Sequence, residues 1–327
     1  MNELALIARL LPSLPTNRSV VLGAGDDCAV LDLGLPDQWV LFKTDAIVEG
    51  IHFTSETEPA RIGHKALARC LSDMAAMAGT PRHAVVTLAL PRTFEPETVD
   101  QIYRGLNALA SKHGVAVVGG EITTNPERLL ISVAMLGTVG RAGLVSRAGS
   151  KAGDALMVTG TLGGSIEGKH LDFEPRLAEA AWLAKNFSIH SMIDLSDGLA
   201  SDLRHLMEAG KVGAELLSSA IPISAAARRR ARDGGKSDRA AVLDPADGRK
   251  PPLLAALTDG EDYELLFTIA SRDAVPLLDA WKSQFPNVRL SCIGKVTAGS
   301  QLSIRTKQGV QTVTAHGYVH FPESGRN

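Results

Sequence analysis

The sequence predicts an α/β protein of two domains. Short apolar runs alternate along the chain with longer segments in which apolar residues recur every three or four positions. The 327 residues exceed what one small core needs, and 45% apolar with 21% charged residues is an ordinary globular composition. A stretch rich in glycine and basic residues, 140–153, separates the halves. We place the boundary there, which gives domains 1–146 and 147–327.

The composition argues against several classes of protein. A formal net charge of −2 and 4% aromatic residues provide neither a basic surface nor stacking platforms, so we expect no nucleic-acid partner. Cys28, Cys70 and Cys292 lie far apart without C-x-x-C spacing, which predicts small buried side chains and no disulfide or zinc site. No apolar run approaches the ~20 residues that span a bilayer, and Glu3 and Arg9 interrupt the N-terminal one. We therefore expect a cytoplasmic protein without membrane contact.

The first half of the chain is predicted to mix helices and strands. In chain order these are a helix at 1–11, a strand at 39–42 that ends in Lys43-Thr44-Asp45, a helix from Pro59, a strand at 84–90, a helix over 99–109, a strand at 115–118 that ends in Gly119-Gly120-Glu121, and a strand at 129–139. Asp73 falls within the apolar arc of the helix from Pro59. A buried carboxylate needs a partner or a metal, so we expect one for Asp73. The alternative is a position at a domain edge that water reaches.

The second half is predicted to continue the alternation. Its elements are a strand at 155–159, a helix at 176–185, a strand that ends at Asp194, a helix from Leu199, a strand at 265–269, a helix at 273–284 and a strand at 288–296. The glycine-rich turn 160–165 is of a kind that binds phosphate, although it lacks the Gly-Lys-Ser/Thr ending of a Walker motif. Ser196 and Asp197 lie where helix N-caps belong. Charges with Pro and Gly steps predict a mobile surface segment over 228–252.

Acidic residues recur at the ends of the apolar segments, beside glycine or serine. They are Asp27, Asp45, Glu121, Asp194 with Asp197, and Glu261 with Asp262. With Asp73, the set exceeds what one structural role needs. Carboxylates without neighbouring His or Cys favour Mg²⁺, which shares its coordination shell with substrate phosphates. Because phosphoryl transfer needs mainly positioning and charge neutralisation, the pattern indicates an enzyme that acts on a polyphosphate.

Other interpretations have to be weighed beside this one. Gly25-Asp26-Asp27 is also ordinary turn chemistry, so a polar loop explains that stretch equally well when it is taken alone. A Ser-His-Asp hydrolase is disfavoured because the sequence has no G-x-S-x-G elbow. A metal-dependent phosphatase or pyrophosphatase would use the same acids and admit water to the phosphate, and this alternative stays open at this point.

Seven motifs in order carry a family resemblance. They are G-D-D-C-A, T-D-A-I-V-E-G-I-H-F, L-S-D-M-A-A-M-A-G, V-G-G-E, S-R-A-G-S-K-A-G-D, I-D-L-S-D-G-L and G-E-D-Y-E-L. Over nearly the whole chain they resemble the thiamine-monophosphate kinase family, which is grouped with aminoimidazole-ribonucleotide synthetase. The resemblance implies two α/β domains of the aminoimidazole-ribonucleotide synthetase-like fold, with N-terminal mixed sheets that pack together in a homodimer. Domain 1–146 would bind ATP and Mg²⁺ and form the dimer, and 147–327 would complete the active site.

The resemblance also implies an activity, which is Mg²⁺-dependent, in-line phosphoryl transfer from ATP to thiamine monophosphate, giving thiamine diphosphate. The residues implied to hold several Mg²⁺ ions are Asp27, Thr44, Asp45, Asp73, Glu121, Asp194 and Asp197. Those implied to contact ATP are Tyr103, Gly120, Glu121, Arg147 and Ser196. Those implied to contact thiamine monophosphate are His52, Glu261, Asp262 and Tyr318. The transfer is metal-assisted, and no side chain is identified as a catalytic acid or base.

Three departures from the family pattern bear on these roles. Glu121 stands where Asp is usual, so its arm is one methylene longer. Lys43 stands where Ser or Thr is usual, and its ammonium either replaces a metal or belongs to a simple exposed lysine. Residues 168–173 differ from the usual sequence, which bears on the acceptor more than on ATP. The alternatives are therefore a paralogue that acts on another small molecule and a non-catalytic nucleotide-binding dimer. Within the first motif, Asp27 is implied to be the inward ligand and Asp26 to shape the turn.

Overall fold

The computed structural model describes residues 3–233 and 250–318, which divide into two compact units. The N-terminal unit comprises Ser19–Leu144 and Gly168–Lys185. The C-terminal unit comprises the described residues of Met1–Arg18, Val145–Glu167 and Asn186–Asn327. Each unit thus contains a segment from the other half of the chain. The assignment of separate functions to 1–146 and 147–327 stays a prediction.

The described residues form nine α-helices and thirteen β-strands. The helices are α1 Glu3–Leu10, α2 Pro59–Ala76, α3 Pro96–Lys112, α4 Lys169–Asp172, α5 Leu177–Asn186, α6 Leu199–Gly210, α7 Ala225–Asp233, α8 Pro252–Thr258 and α9 Ser271–Gln284. The strands are β1 Val20–Leu22, β2 Ala29–Leu31, β3 Gln38–Val48, β4 Thr80–Leu90, β5 Ala116–Thr124, β6 Leu130–Gly140, β7 Ala155–Thr159, β8 Ile189–Asp194, β9 Gly213–Leu217, β10 Leu265–Ile269, β11 Leu290–Thr297, β12 Leu302–Thr306 and β13 Gly309–Thr312.

The N-terminal unit is built on a mixed sheet in the order β1-β2-β3-β6-β4-β5. Strands β4 and β5 are parallel, and the other neighbouring pairs are antiparallel. Helix α2 packs against β3, β4, β6 and α3. Its apolar side chains recur at helical spacing, so that Ile62, Leu67 and Met74 are buried in the core between helix and sheet.

Helices α2 and α3 approach each other closely at two glycines. A Cβ at Gly63 would lie 1.8 Å from the carbonyl oxygen of Ile102, and one at Gly105 would lie 1.8 Å from that of Ala60. We expect Gly63→Ala to push the helices apart and to lower the free energy of unfolding by about 2 kcal/mol, even after a gain of about 1 kcal/mol in helix propensity. Urea denaturation measures this difference. Equal losses in Gly63→Ala and in Gly143→Ala, where the nearest atom would be 3.7 Å away, would contradict it.

The opposite face of this sheet carries exposed apolar side chains. Phe42, Val85 and Leu136 are each more than two-fifths exposed. The register pairs Phe42 with Leu136, and Val85 with Ala134 on the same strand as Leu136. Because residues two apart on a strand share a face, these side chains form one apolar surface.

The C-terminal unit contains a second mixed sheet in the order β13-β12-β9-β11-β7-β10-β8. Strands β9 and β12 are parallel, whereas the other neighbouring pairs are antiparallel. Helix α6 packs on α8 and β8, and its Leu199, Leu203 and Leu206 are fully buried in the core. Asp194, at the end of β8, pairs with Leu265 at the start of β10. This pairing brings the loop after β8 and the loop before β10 to one end of the sheet.

Most predicted elements are confirmed to within a few residues. The predicted strands 155–159 and 265–269 coincide with β7 and β10, and the helix predicted from Pro59 is α2. The prediction of a mobile segment over 228–252 is wrong at its ends, because α7 continues to Asp233 and α8 begins at Pro252. Residues 234–249 lie outside the described residues. Strands β1, β2 and β13 have three or four residues, too few for a periodic signal, so the sequence does not predict them. The five-residue strands β9 and β12 are not predicted either.

Two further predictions concern cysteines and membranes. Cys28 and Cys70 are buried as predicted, whereas Cys292 is partly exposed. Burial raises the pKa of the Cys28 and Cys70 thiols. Among the helices that the structure describes, none is both long and apolar enough to cross a membrane.

Candidate active site

Two buried carboxylates lie side by side in the N-terminal unit. Asp27 precedes β2 and Asp73 lies in the last turn of α2, and carboxylate oxygens of the two lie within 4.8 Å of one another. Asp27 is 1% exposed and Asp73 is 6% exposed. The predicted burial of Asp73 is therefore confirmed. Asp26 accepts a hydrogen bond from the backbone N–H of Asp27 at 3.0 Å, which is the turn-shaping contact expected of it.

Lys43 brings a positive charge to this pair. Its Nζ donates to Oδ1 of Asp73 at 2.9 Å, and 24% of the lysine side chain is exposed. Burial by itself would lower the pKa of Lys43, but the carboxylates of Asp73 and Asp45 hold that pKa above its ordinary value. The ammonium therefore stays charged at neutral pH. Of the two interpretations of Lys43, the simple exposed lysine is wrong.

Asp45 is paired with Arg69 of α2. The guanidinium donates from Nε to Oδ2 of Asp45 at 2.8 Å and from Nη2 to Oδ1 at 3.1 Å. The backbone N–H of Ala46 donates to the same Oδ1 at 3.0 Å. A bidentate pair of this kind is strong and fixes the orientation of the carboxylate, so a metal at Asp45 has to compete with Arg69. Arg69 and Asp45 are 24 residues apart, so no local sequence signal predicts this pair.

Two of the predicted carboxylates lie inside strands and not at their ends. Strand β3 continues past Asp45 to Val48, and β5 runs through Glu121 to Thr124. Pairing explains both, since β3 is paired with β6 along its whole length and β5 is paired with β4. The prediction that the strands stop at these acids is therefore wrong, whereas β8 does end at Asp194.

This continuation places Thr44 and Glu121 on the opposite face of the sheet from Asp45. Side chains alternate along a strand, so the neighbours Thr44 and Asp45 face opposite ways. The hydroxyl of Thr44 lies 3.5 Å from that of Ser132, and the register pairs Thr87 with both Ser132 and Glu121. The predicted metal ligands of this unit thus divide between two faces. Their binding of metal stays a prediction on both.

His52 is held by a buried lysine that the sequence does not predict. Nδ1 of His52 accepts a hydrogen bond from the N–H of Val48 at 3.0 Å. Lys65, which is fully buried, donates from Nζ to the carbonyl oxygen of His52 at 2.7 Å and lies 2.8 Å from Nδ1 of His170. The divergent segment 168–173 is thereby tied to the turn of His52.

Tyr103 and Gly120, predicted to contact ATP, lie on different elements of the N-terminal unit. Tyr103 is a partly exposed residue of α3, and burial raises the pKa of its phenol. Gly120 lies on the edge strand β5, and a Cβ there would be 1.8 Å from the carbonyl oxygen of Val86. The close approach of the two strands therefore requires a glycine at this position. The contact of either residue with ATP stays a prediction.

Three segments converge at the end of β8 in the C-terminal unit. The N–H of Glu261, in the loop before β10, donates to the carbonyl oxygen of Ser196 at 2.7 Å. The N–H of Tyr318 donates to the carbonyl oxygen of Asp197 at 2.9 Å. The predicted site residues on these three converging segments are Asp194, Ser196, Asp197, Glu261 and Tyr318.

The loop before β10 has a strained backbone. Glu261 has φ 53° and Tyr263 has φ 49°, which are left-handed conformations that disfavour residues with a Cβ. Hydrogen bonds from both N–H groups to the carbonyls of Ser196 and Leu195 hold them there. Strain of about 1 kcal/mol or more for each residue is typical of binding sites. It supports the predicted role of Glu261.

The N-cap of helix α6 is Gly198 and not Ser196 or Asp197, as predicted, and Asp202 in the first turn binds the main chain that leads into the helix. Oδ2 of Asp202 accepts from the N–H groups of Asp197 at 3.1 Å and Gly198 at 3.0 Å. Burial raises the pKa of Asp202 well above its ordinary value, the charges of Asp197 and Asp194 raise it further, and the guanidinium of Arg147 lowers it. Arg147 therefore acts electrostatically on this group of acids. The sequence signal for Asp202 was an acid in the first turn of the helix.

The glycine-rich turn 160–165 is occupied by carboxylates of its own unit. The N–H of Gly163 donates to both oxygens of Asp262 at 3.0 Å, and that of Gly164 donates to Asp259 at 2.8 Å. The hydroxyl of Ser165 also donates to Asp262, which is fully buried. This corrects the expectation that the turn binds phosphate. Contact of Asp262 with the acceptor stays a prediction, and its neighbour Glu261 is the more exposed of the two.

The donors of the N-terminal unit fit a hard divalent cation. The carboxylates of Asp27 and Asp73 are buried and close enough to share an ion. Burial raises the pKa of the Cys28 and Cys70 thiols, and the charge of Asp73 raises both further, so neither thiol is a ready thiolate donor at neutral pH. Oxygen donors without imidazole or thiolate suit Mg²⁺ or Mn²⁺.

Comparisons with known proteins show where this chain belongs. The family model described as AIR synthase related protein, N-terminal domain, matches residues 25–139. A thiamine-monophosphate kinase of Rhodopirellula baltica is 38% identical to this chain over 309 residues, and the alignment covers 92% of each chain. A thiamine-monophosphate kinase of Escherichia coli K12 is 33% identical, with 98% of each chain covered.

Solved structures agree with the sequence comparison. The structure of AaThiL complexed with AMPPCP and TMP has a TM-score of 0.79 and 28% identity, over 98% of this chain and 97% of that chain. E. coli HypE, a hydrogenase maturation protein, has a TM-score of 0.68 at 20% identity, over 94% of this chain and 96% of that chain, and this is a likeness in fold alone. The predicted aminoimidazole-ribonucleotide synthetase-like fold is thus confirmed. On its sequence and its fold, this chain belongs to the thiamine-monophosphate kinase family.

Proposed function

We propose that this chain transfers the γ-phosphoryl group of ATP to thiamine monophosphate and so forms thiamine diphosphate. The observation that carries the proposal is the likeness, over 98% of the chain, to AaThiL, which was solved with AMPPCP and TMP. Identities of 38% and 33% to named thiamine-monophosphate kinases support it. The acidic residues grouped within each unit suit a reaction between two anionic phosphate compounds.

Mg²⁺ is the metal that these acids would hold. Its ligands in the N-terminal unit would be Asp27, Asp45 and Asp73, with Thr44 and Glu121 on the other sheet face, and those in the C-terminal unit would be Asp194 and Asp197. When bound, Mg²⁺ neutralises the charge of the phosphates. Lys43 places one further positive charge beside Asp73. This contact supports the hypothesis that the lysine replaces one metal ion of the family.

The remaining side chains would bind and orient the two substrates. Contacts with ATP are assigned to Tyr103, Gly120, Glu121, Arg147 and Ser196, and contacts with the acceptor to His52, Glu261, Asp262 and Tyr318. The positive charge of Arg147 beside the acids after β8 suits an anionic nucleotide. Direct in-line transfer requires the acceptor oxygen to approach the γ-phosphorus opposite the leaving group, so catalysis depends on how these residues position the two substrates.

A homodimer is the assembly that the N-terminal unit suits. Phe42, Val85 and Leu136 form an exposed apolar surface on the sheet face opposite α2. Exposed apolar surface of this kind is typical of an interface, and a second copy of the same sheet would cover it. We also retain the cytoplasmic location and the separate roles of 1–146 and 147–327 as parts of this proposal.

The direct test uses purified protein with Mg²⁺, ATP and thiamine monophosphate. We expect thiamine diphosphate and ADP in equal amounts, both by chromatography, and no product when EDTA replaces Mg²⁺. ADP release without thiamine diphosphate would indicate transfer to water or to another acceptor. A panel of phosphorylated acceptors then separates a paralogous kinase from a phosphatase, and a chain that consumes no ATP with any of them would be a non-catalytic nucleotide-binding dimer.

A further inference from the structure

The last described residues of the chain run along helix α6. Arg204, in the middle of that helix, donates from Nη1 to the carbonyl oxygen of Ala315 at 2.8 Å and from Nη2 to that of Val313 at 2.6 Å. Nη1 also donates to the carbonyl oxygen of Ala200, one turn earlier in α6, at 2.8 Å. One guanidinium therefore ties the main chain of residues 313–315 to the helix.

Two more hydrogen bonds continue this attachment to the beginning of α6. The N–H of Gly317 donates to Oγ of Ser201 at 2.8 Å, and the N–H of Tyr318 donates to the carbonyl oxygen of Asp197 at 2.9 Å. We call residues 313–318 the C-terminal segment. It lies antiparallel to α6, so that each step toward Tyr318 brings it closer to the acids that follow β8.

Gly317 allows this segment to come close to Asp197. A Cβ at Gly317 would lie 1.8 Å from the carbonyl oxygen of Asp197 and 3.1 Å from Oγ of Ser201. Contacts under 3.0 Å do not occur for real Cβ atoms, so any larger residue would lift the segment from the helix. The carbonyl oxygen of Asp197, with which such a Cβ would clash, also accepts the hydrogen bond from the N–H of Tyr318.

Arg204 is suited to holding a backbone in place. Burial lowers the pKa of its guanidinium, which shows that the charge is partly withdrawn from water. Its three hydrogen bonds go to main-chain carbonyls, and the planar fork with several donors fixes their relative positions. Such an arrangement constrains the path of the chain more than the identity of the side chains along it.

We propose that Arg204, Ser201 and Gly317 are positioning residues that fix Tyr318 against the main chain of Asp197 and thereby set the affinity for the phosphate acceptor, not for ATP. The inference rests on the proposed function, in which Tyr318 contacts thiamine monophosphate. None of the three positioning residues needs to touch either substrate. They act by deciding where the half-exposed Tyr318 ring stands beside an acid that would bind Mg²⁺.

Kinetics test the proposal with Gly317→Ala and Arg204→Met. Each change is expected to raise the KM for thiamine monophosphate about tenfold or more, the effect of losing a charge-assisted or geometrically fixed hydrogen bond. The KM for ATP should stay within about twofold of the parent value, since neither Arg204 nor any residue of the C-terminal segment is assigned a contact with ATP. Arg204→Lys keeps the positive charge and one donating nitrogen and should recover part of the loss. Matched controls are Arg305→Met, which removes an exposed arginine paired with Glu215, and Gly143→Ala.

A double-mutant cycle tests whether the segment acts through Tyr318. If it does, Gly317→Ala should change the acceptor KM by less than about twofold once Tyr318→Ala is already present. Additive effects in the double variant would overturn the proposal. So would equal increases in the two KM values, because these would indicate general damage to the fold.

Amide hydrogen exchange tests the attachment without any activity. In Arg204→Met, the N–H groups of Gly317 and Tyr318 should exchange about tenfold faster, while those of β10 keep their protection. If the parent protein made no thiamine diphosphate, the proposed function would fail. Unchanged exchange in Arg204→Met would instead overturn the positioning role itself.

Discussion

Asp27→Asn is expected to lower kcat for thiamine diphosphate formation by at least about 100-fold, because the change removes the charge of a buried carboxylate that we propose binds Mg²⁺, while keeping its shape. Asp27 is 1% exposed, with a carboxylate oxygen within 4.8 Å of Asp73. The amide would also weaken the binding of Mg²⁺, so the Mg²⁺ concentration that gives half-maximal activity should rise. Steady-state kinetics over a Mg²⁺ series measures both effects.

Asp26→Asn is the matched control for this prediction. The amide oxygen of asparagine still accepts the hydrogen bond that Asp26 receives from the N–H of Asp27, so activity should stay within about threefold of the parent value. Thermal unfolding in EDTA separates catalysis from folding. Asp27→Asn removes one of two neighbouring buried charges and should leave the apo protein at least as stable as before. Equal losses of activity in the two variants would contradict the division of roles between the two acids.

Lys43→Met is expected to have the largest effect on stability. The change removes the cation that lies 2.9 Å from Asp73 and leaves that buried carboxylate beside Asp27. Breaking a pair of this kind costs about 3 kcal/mol. Mg²⁺ should restore part of the loss, because the metal supplies the positive charge that the lysine no longer provides. Urea denaturation in EDTA and in Mg²⁺ gives the two values.

The control for Lys43→Met is Lys282→Met. Lys282 is three-quarters exposed and lies 3.4 Å from Asp279 on the surface of α9, so its loss should cost less than about 0.5 kcal/mol in either buffer. A loss in Lys43→Met that is the same with and without Mg²⁺ would show that the lysine and the metal do not share a charge-neutralising role. That outcome would contradict the hypothesis that Lys43 replaces one metal ion of the family.

The longer helices α2, α3 and α6 and their buried faces were predictable from the sequence. The burial of Asp73 follows from its place in the apolar arc of α2, because helical periodicity is a local property of neighbouring residues. The ends of β3 and β5 were not predictable. The length of β3 depends on its pairing with β6, and that of β5 on its pairing with β4. The local sequence predicts a turn at the glycines before Glu121, whereas pairing with β4 keeps them in an edge strand.

The sequence by itself determined the order of the acidic motifs, the α/β class and the family. These are properties of residue types and their spacing. Only the tertiary structure decided which charges meet. Lys43 pairs with Asp73, 30 residues away in the sequence, and Asp45 pairs with Arg69, 24 residues away. Asp262 accepts hydrogen bonds from a glycine-rich turn 99 residues away. The physical reason is that packing between distant segments determines which residue pairs with a buried charge. The residues next to that charge in the sequence do not indicate its partner.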